Sequence, residues 1–162
     1  MCSKTVKVVI PIILTILWMA LIFYFSAQPA GKSADLSESI GERILRVVYP
    51  EFSKMDELSR RALVEGIDSF VRKSVHFAEY MVLGFLLMLD LRVLLKKKHF
   101  KYTILAILLG FLYACSDEIH QMFVPGRAGM VSDVLLDTGG VICGTLLLVG
   151  VSSIWCRRRK NP

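Results

Sequence analysis

The segment Tyr102–Val124, YTILAILLGFLYACSDEIHQMFV, decides the fold class because it is an apolar run long enough to span a membrane. Crossing a hydrocarbon core of about 30 Å takes roughly 20 residues of α-helix. The run ends in a dense polar group, Asp117, Glu118, His120 and Gln121. Ionisable groups at membrane depth cost about 2.5 to 3.5 kcal/mol each on insertion scales, so they rarely lie there without a partner or a function. This polar group is therefore the first candidate functional site.

The composition of the whole chain is also typical of a membrane protein. Of its 162 residues 54% are hydrophobic, the mean hydropathy is +0.56 and the formal net charge is +6. A soluble domain of this length would expose more polar surface. Three further segments approach spanning length, Val6–Phe25, Lys73–Leu95 and Val131–Trp155. We predict an all-α membrane protein in which residues 1–162 form one domain, a bundle of four transmembrane helices.

The segment between the first and second spans, residues 26–72, is predicted to be an extracytoplasmic helical loop. From Asp35 onward, apolar residues recur at the spacing of an amphipathic helix, and Pro50 ends that pattern. A second helical stretch, Asp56–Phe70, runs on into the second span. We expect the first helix to lie in the outer interface, with its apolar stripe on lipid or on the bundle. It either covers the site as a lid or only connects two spans.

The basic residues predict how the chain is oriented in a membrane. Short loops rich in Lys and Arg stay in the cytoplasm. Three basic groups fall on one side of the four spans: Lys4, Lys7, Arg92, Lys96, Lys97, Lys98, Lys101, Arg157, Arg158, Arg159 and Lys160. The 26–72 loop and the Pro125–Met130 turn fall on the other side. We therefore predict a multi-pass protein with both termini in the cytoplasm.

Counting along the helices places acids from three spans at one depth. At about 1.5 Å of rise per residue, Glu79 and Asp137 lie roughly 9 Å from the outer ends of their spans. Asp117 lies about 22 Å from the inner end of its span, roughly 8 Å below the outer surface of a 30 Å core. Residues three or four positions away stack above these acids: His76, His120, Gln121 and Asp133. We expect one polar pocket in the outer half of the membrane.

Several carboxylates in one low-dielectric pocket must be protonated, paired or bound to a metal. The candidate counter-charges are Arg72 and Lys73 at the start of the second span, and Arg127 in the turn before the fourth. An arginine above the carboxylates can close an internal ion network or hold an anionic ligand such as a phosphate. The alternative is a polar plug that only holds the helices in register.

A metal site and catalysis are the other readings of the polar residues. His76, Glu79, Asp117 and His120 are candidate ligands for a divalent metal, the one cofactor that the sequence suggests. The same side chains supply an acid and a base. The chain has no HExxH or GxSxG motif, however, so the metal spacing is permissive and no catalytic residue is assigned. We predict no nucleic-acid partner, and the oligomeric state is left open.

Four blocks of the chain resemble the VanZ-like membrane proteins of bacteria. They are FSAQPAGKSADLS (25–37), RKSVHFAEYMVLG (72–84), YACSDEIHQMFVPGRAG (113–129) and SDVLLDTGGVICG (132–144). The resemblance implies a small multi-pass protein of the bacterial plasma membrane, whose family namesake is linked to reduced sensitivity to teicoplanin, a lipoglycopeptide directed at cell-wall precursors. Its motif positions are Ser26, Gln28, Lys73, His76, Glu79, Tyr80, Asp117, Glu118, His120, Gln121, Arg127, Asp133 and Asp137.

Three functional hypotheses follow. In the first, an outward-facing polar pocket binds or handles an amphiphilic cell-envelope component, with membrane lipids and a lipid-linked precursor or lipoglycopeptide as partners. In the second, the protein is an intramembrane hydrolase or transferase that acts on a lipid-linked envelope precursor. In the third, it is a helper or sensor that works only through a partner protein.

Overall fold

The computed structural model describes residues 2–95 and 100–160, with side chains for 6–95 and 100–153. These ranges contain five α-helices and one short 3-10 helix and no strand, which confirms the all-helical prediction. The elements are α1 (Cys2–Ser26), α2 (Ala30–Val48), the 3-10 helix (Pro50–Lys54), α3 (Glu57–Leu95), α4 (Phe100–Gln121) and α5 (Val131–Lys160). Of the basic residues that predict the orientation, Lys4, Lys96–Lys98 and Arg157–Lys160 lie outside the described side chains.

Three helical segments are long and apolar enough to cross a membrane: Val6–Ser26, Phe100–Gln121 and Val131–Ser153. They confirm the prediction of a membrane protein. The predicted second span, the second half of α3, is not among these three segments. Its sequence carries Lys73, Glu79, Asp90 and Arg92. α3 is the central helix, because it packs against α1, α2, α4 and α5. Polar side chains on a central helix can face its neighbours instead of lipid.

The segment after α1 folds back onto the first half of α3. α2 starts at Ala30, before the Asp35 expected from the sequence, and ends ahead of Pro50, which opens the 3-10 helix. Gly41 packs against Ile67, where an added Cβ would lie 3.3 Å from Cδ1. The Ser37 hydroxyl donates a hydrogen bond to Asp68 of α3. α2 is therefore held along α3, and α3 continues unbroken from Glu57 to Leu95.

α3 and α5 approach each other closely at glycines. A Cβ added at Gly144 would overlap the carbonyl oxygen of Met81, and one at Gly140 would overlap that of Phe77. From the other side, a Cβ at Gly84 would overlap the carbonyl oxygen of Val141. Small residues at these positions let two backbones meet, as is common between helices in membranes.

A buried apolar cluster joins α1, α3, α4 and α5 in the middle of the bundle. Its members are Ile22, Tyr80, Leu83, Ala114 and Val141. Two aromatic residues at its edge tie α1 to its neighbours. The Trp18 indole donates to the backbone oxygen of Glu79 at 2.9 Å, and the Tyr113 hydroxyl donates to that of Met19 at 2.7 Å. The polar residues of the site lie on one side of this cluster, toward the end of α1.

Candidate ligand-binding site

The turn between α4 and α5 positions Arg127. α4 ends at Gln121, before the predicted Val124, because the chain is already turning there. The Arg127 amide donates to the carbonyl oxygen of Val124 at 3.1 Å, and Gly126 has a φ of 78°. Pro followed by Gly at positive φ is typical of a type II turn. The Ala30 amide donates to the carbonyl oxygen of Pro125 at 3.3 Å, so the turn is fixed against the start of α2.

The Arg127 guanidinium bonds only to neutral acceptors in the described part of the chain. Its Nε donates to the carbonyl oxygen of Gln28 at 3.0 Å, and its Nη1 donates to Gln121 Oε1 at 3.1 Å. Its Nη2 lies 3.4 Å from the carbonyl oxygen of Phe25. The ion pairs within these ranges include none to Arg127. Burial and the nearby Arg72 lower the pKa of Arg127 from its ordinary value.

A buried hydrogen-bond network below Arg127 joins the end of α1 to the end of α4. The Ser26 hydroxyl donates to Asp117 Oδ2 at 2.8 Å. Gln121 Nε2 donates to Ser26 Oγ at 2.6 Å and to Asp117 Oδ2 at 3.2 Å. Asp117 is 3% exposed and Ser26 is 1% exposed. Because Gln121 also accepts from Arg127, the chain of contacts runs from the turn to the buried carboxylate.

Acids from the other helices surround the same region. Asp137 of α5 is 2% exposed and interacts electrostatically with Asp117 and Glu79. Asp137 Oδ1 is buried and has no hydrogen-bond partner within the described ranges, and the buried Tyr80 hydroxyl interacts with the Asp117 carboxylate. Buried polar atoms are normally satisfied. This end of the bundle therefore holds more polar groups than its own side chains satisfy.

Other predicted site residues form local pairs. Lys73 Nζ lies 3.2 Å from Asp133 Oδ1, which links α3 to α5. His76 Nδ1 lies 4.0 Å from Glu79 Oε2. Glu118 has a structural contact, because its Oε1 accepts a hydrogen bond from the Met130 amide at 2.5 Å, just before α5 begins.

The candidate metal ligands are not gathered at one point. The ring of His120 stacks on Phe23 of α1, with centroids 4.4 Å apart, and its Nε2 is buried without a partner in the described chain. Across the described side chains, no three His, Cys, Asp or Glu residues are placed to hold a metal ion. His76 and Glu79 remain near each other.

Two cavities flank the Arg127 side chain. The larger one, about 410 Å³, lies between α1, α2 and α3; its lining residues are Tyr24, Phe25, Gln28, Lys32, Ser33, Leu36, Ser37, Ile40, Arg72, Val75, His76, Glu79 and Arg127. The smaller one, about 270 Å³, lies toward α5 and is lined in part by Lys73, Glu118, Gln121, Asp133 and Asp137. Arg72, His76 and Arg127 line both. These three residues therefore form the wall between the cavities.

Some lining residues are absent from the set predicted as site residues. α2 supplies Lys32, Ser33 and Ser37, and α1 supplies Tyr24 and Phe25. The sequence signal for α2 is the KSADLS run (32–37), which belongs to the first block of the family resemblance. The helical periodicity of the sequence does not predict on which side of the bundle α2 packs.

With this geometry in view, the chain can be compared with known families. A family model described as VanZ/LLP1 matches residues 11–154. The chain belongs to the VanZ/LLP1 family. The match confirms the resemblance stated from the four sequence blocks, and it covers the residues that line both cavities. No curated protein and no solved structure matches this VanZ/LLP1 protein.

Proposed function

We propose that this VanZ/LLP1 protein binds an amphiphilic component of the bacterial cell envelope in the larger cavity. In this proposal the whole chain is one domain of four transmembrane helices, with the second half of α3 as the second span. The cavity then faces outward, because the basic residues at the opposite end keep both termini in the cytoplasm. The thirteen motif positions named above serve as the walls and supports of the site.

The observation that carries the proposal is the mixed lining of the larger cavity. Some of the lining side chains are apolar: Tyr24, Phe25, Leu36, Ile40 and Val75. Others are polar or charged, among them Lys32, Arg72, Arg127, His76 and Glu79. A volume of about 410 Å³ is in the range of ordinary ligand sites. A molecule with one apolar and one polar part would find contacts with both kinds of side chain in this lining.

The apolar lining of the larger cavity continues onto the exposed face of α1. Tyr24 and Phe25 are exposed, as are Leu21 and Leu17 on the turns before them. Residues spaced by three, four or seven positions lie on one face of a helix. An apolar chain seated in the cavity can therefore leave along this face while it remains in contact with lipid.

Site-specific photo-crosslinking tests this proposal directly. A benzophenone amino acid at Leu36, which lines the cavity, is compared with the same group at Leu108, an exposed apolar position on α4. We expect the Leu36 position to capture a defined envelope amphiphile and the Leu108 position to capture bulk phospholipid. The same lipid mixture at both positions would contradict a binding site in the cavity.

A link to lipoglycopeptide sensitivity is the second part of the proposal, suggested by the family namesake. In an expressing strain, Asp117→Ala and Arg127→Ala are expected to change teicoplanin sensitivity, because both residues support the cavity wall. Ser116→Ala is the matched control, since Ser116 is exposed and its hydroxyl bonds only to the backbone of its own helix. Unchanged sensitivity at normal protein levels would remove this link and leave lipid binding open.

A further inference from the structure

We infer that the polar part of the ligand is a phosphate group, so that the occupant of the larger cavity is a lipid phosphate. This inference rests on the proposed function and specifies the chemistry of its ligand. Three features carry it: the hydrogen-bonding state of Arg127, the charge balance of the cavity and the exposed apolar path along α1.

Arg127 has donors left for a ligand. A guanidinium carries five N–H donors. The contacts to Gln28, Gln121 and Phe25 use one donor on each of its three nitrogens. One N–H on each terminal nitrogen therefore remains, and a pair of this kind matches two oxygens of a phosphate. The three neutral acceptors hold the side chain in place without neutralising its charge.

The larger cavity carries an excess of positive charge. Lys32, Arg72 and Arg127 line it, and Glu79 is the one carboxylate that the described side chains contribute to its lining. Arg72 is paired with Asp68, which is outside the lining, whereas Arg72 itself lines the cavity. The smaller cavity, by contrast, is lined by as many carboxylates as cations. The carboxylates are Asp133, Asp137 and Glu118, and the cations are Arg72, Lys73 and Arg127. An anion is therefore attracted to the larger cavity and not to the smaller one.

The surroundings of these cations favour a lipid over a free anion. Lys32 is exposed at the start of α2, and the neighbouring Leu36 and Tyr24 present apolar surface beside it. A lysine with its charge outside and its stem on apolar surface is typical of a membrane interface. A phosphate at Lys32 and Arg127 would place its ester-linked chain on the exposed face of α1.

Native mass spectrometry of the purified full chain tests this inference with three probes: farnesyl monophosphate, farnesol and inorganic phosphate. We expect farnesyl monophosphate to bind one molecule per chain, and the other two to bind at least about tenfold more weakly, because each lacks one half of the interaction. Equal binding of farnesol would overturn the phosphate assignment. Equal binding of inorganic phosphate would overturn the lipid assignment.

Charge variants locate the site. Lys32→Glu is expected to weaken farnesyl monophosphate binding by at least about tenfold, because it reverses a charge at the cavity. The matched control is Arg43→Glu, which makes the same change in net charge. Like Lys32, Arg43 is exposed on α2, but it lies outside the cavity lining. Equal weakening by both variants would contradict a local site. Arg127→Lys should retain more affinity than Arg127→Gln, since only the former keeps the charge.

The outcomes separate this inference from the proposed function. If the Leu36 crosslinker captures a defined uncharged amphiphile and farnesyl monophosphate does not bind, the phosphate assignment is wrong and the binding site stands. If the Leu36 and Leu108 positions capture the same mixture, the proposed function itself is wrong.

Discussion

The contact between α3 and α5 and the contact between α1 and α4 are built in opposite ways. At the first, backbones meet at Gly140 and Gly144, where no side chain fits. At the second, Ser26, Asp117 and Gln121 meet through hydrogen bonds between side chains. A glycine contact depends on shape alone, whereas a polar contact can lose or exchange its partners. The α3–α5 contact therefore acts as the frame of the molecule, and the α1–α4 contact acts as an adjustable support for Arg127, which lines both cavities.

The largest expected effect comes from breaking the frame. Gly144→Ala places a Cβ against the carbonyl oxygen of Met81, so it should lower the free energy of unfolding by about 1 to 3 kcal/mol, the usual cost of overpacking. Thermal unfolding in detergent measures it. Gly150→Ala is the control, since an added Cβ there meets no atom within 4 Å and alanine favours the helix. Equal stability of both variants would show that α3 and α5 do not meet at Gly144.

Breaking the α1–α4 contact should lower the free energy of unfolding less than breaking the frame, and should affect a different part of the molecule. Asp117→Ala removes the acceptor of Ser26 and Gln121, and we expect a loss of about 1 to 2 kcal/mol in the free energy of unfolding. Hydrogen exchange should rise at the end of α1 and stay unchanged at Gly140 on α5. Ser116→Ala serves as the control. A uniform rise in hydrogen exchange along all helices would contradict the distinction between the α1–α4 contact and the α3–α5 frame.

A smaller effect on stability is expected for the hydrogen bond between Thr15 and Asp90, which line neither cavity. Thr15 Oγ1 of α1 donates to Asp90 Oδ2 of α3 at 2.7 Å, and both residues are buried. A double-mutant cycle of Thr15→Val and Asp90→Leu should give a coupling free energy of about 0.6 kcal/mol, the average for side-chain hydrogen bonds in a membrane. The cycle of Thr15→Val with Asp133→Asn should give none. Equal coupling in both cycles would contradict a direct bond.

The smallest effect is expected for the ion pair between Lys73 and Asp133. Both side chains are partly exposed, so Asp133→Asn should change the free energy of unfolding by less than about 0.5 kcal/mol, and less again at high salt. Unfolding at low and high salt measures this. Glu51→Gln, in the exposed pair with Lys54, is the control. A larger loss that salt does not reduce would place Asp133 among the supports of the frame.

The sequence predicts the helical class and the meeting of the deep acids because both follow from fixed periods. Apolar length identifies three spans. The constant rise of an α-helix places Glu79, Asp117 and Asp137 at similar depths by counting, and the structure has electrostatic interactions between them.

Rotation of a helix about its own axis and the placement of loops cannot be counted in this way. His120 is one turn from Asp117, yet its ring lies on Phe23 of α1. Arg127 is predicted to lie above the carboxylates, but the sequence does not predict that its guanidinium bonds to backbone carbonyl oxygens and to Gln121. Both outcomes depend on how α1 packs against α4. That contact joins residues more than ninety positions apart, and no local pattern encodes it.

α3 has a mechanical consequence of its own. With 39 residues it is about 58 Å long, nearly twice the thickness of a 30 Å hydrocarbon core. Its first half carries α2, through Gly41 and Ser37, and its second half is fixed to α5 at Gly84. Arg72 and His76 lie near the midpoint, where the two cavities meet. Because α2 contacts one half of α3 and α5 contacts the other, a movement of α2 relative to α5 would displace Arg72 and His76, which separate the two cavities.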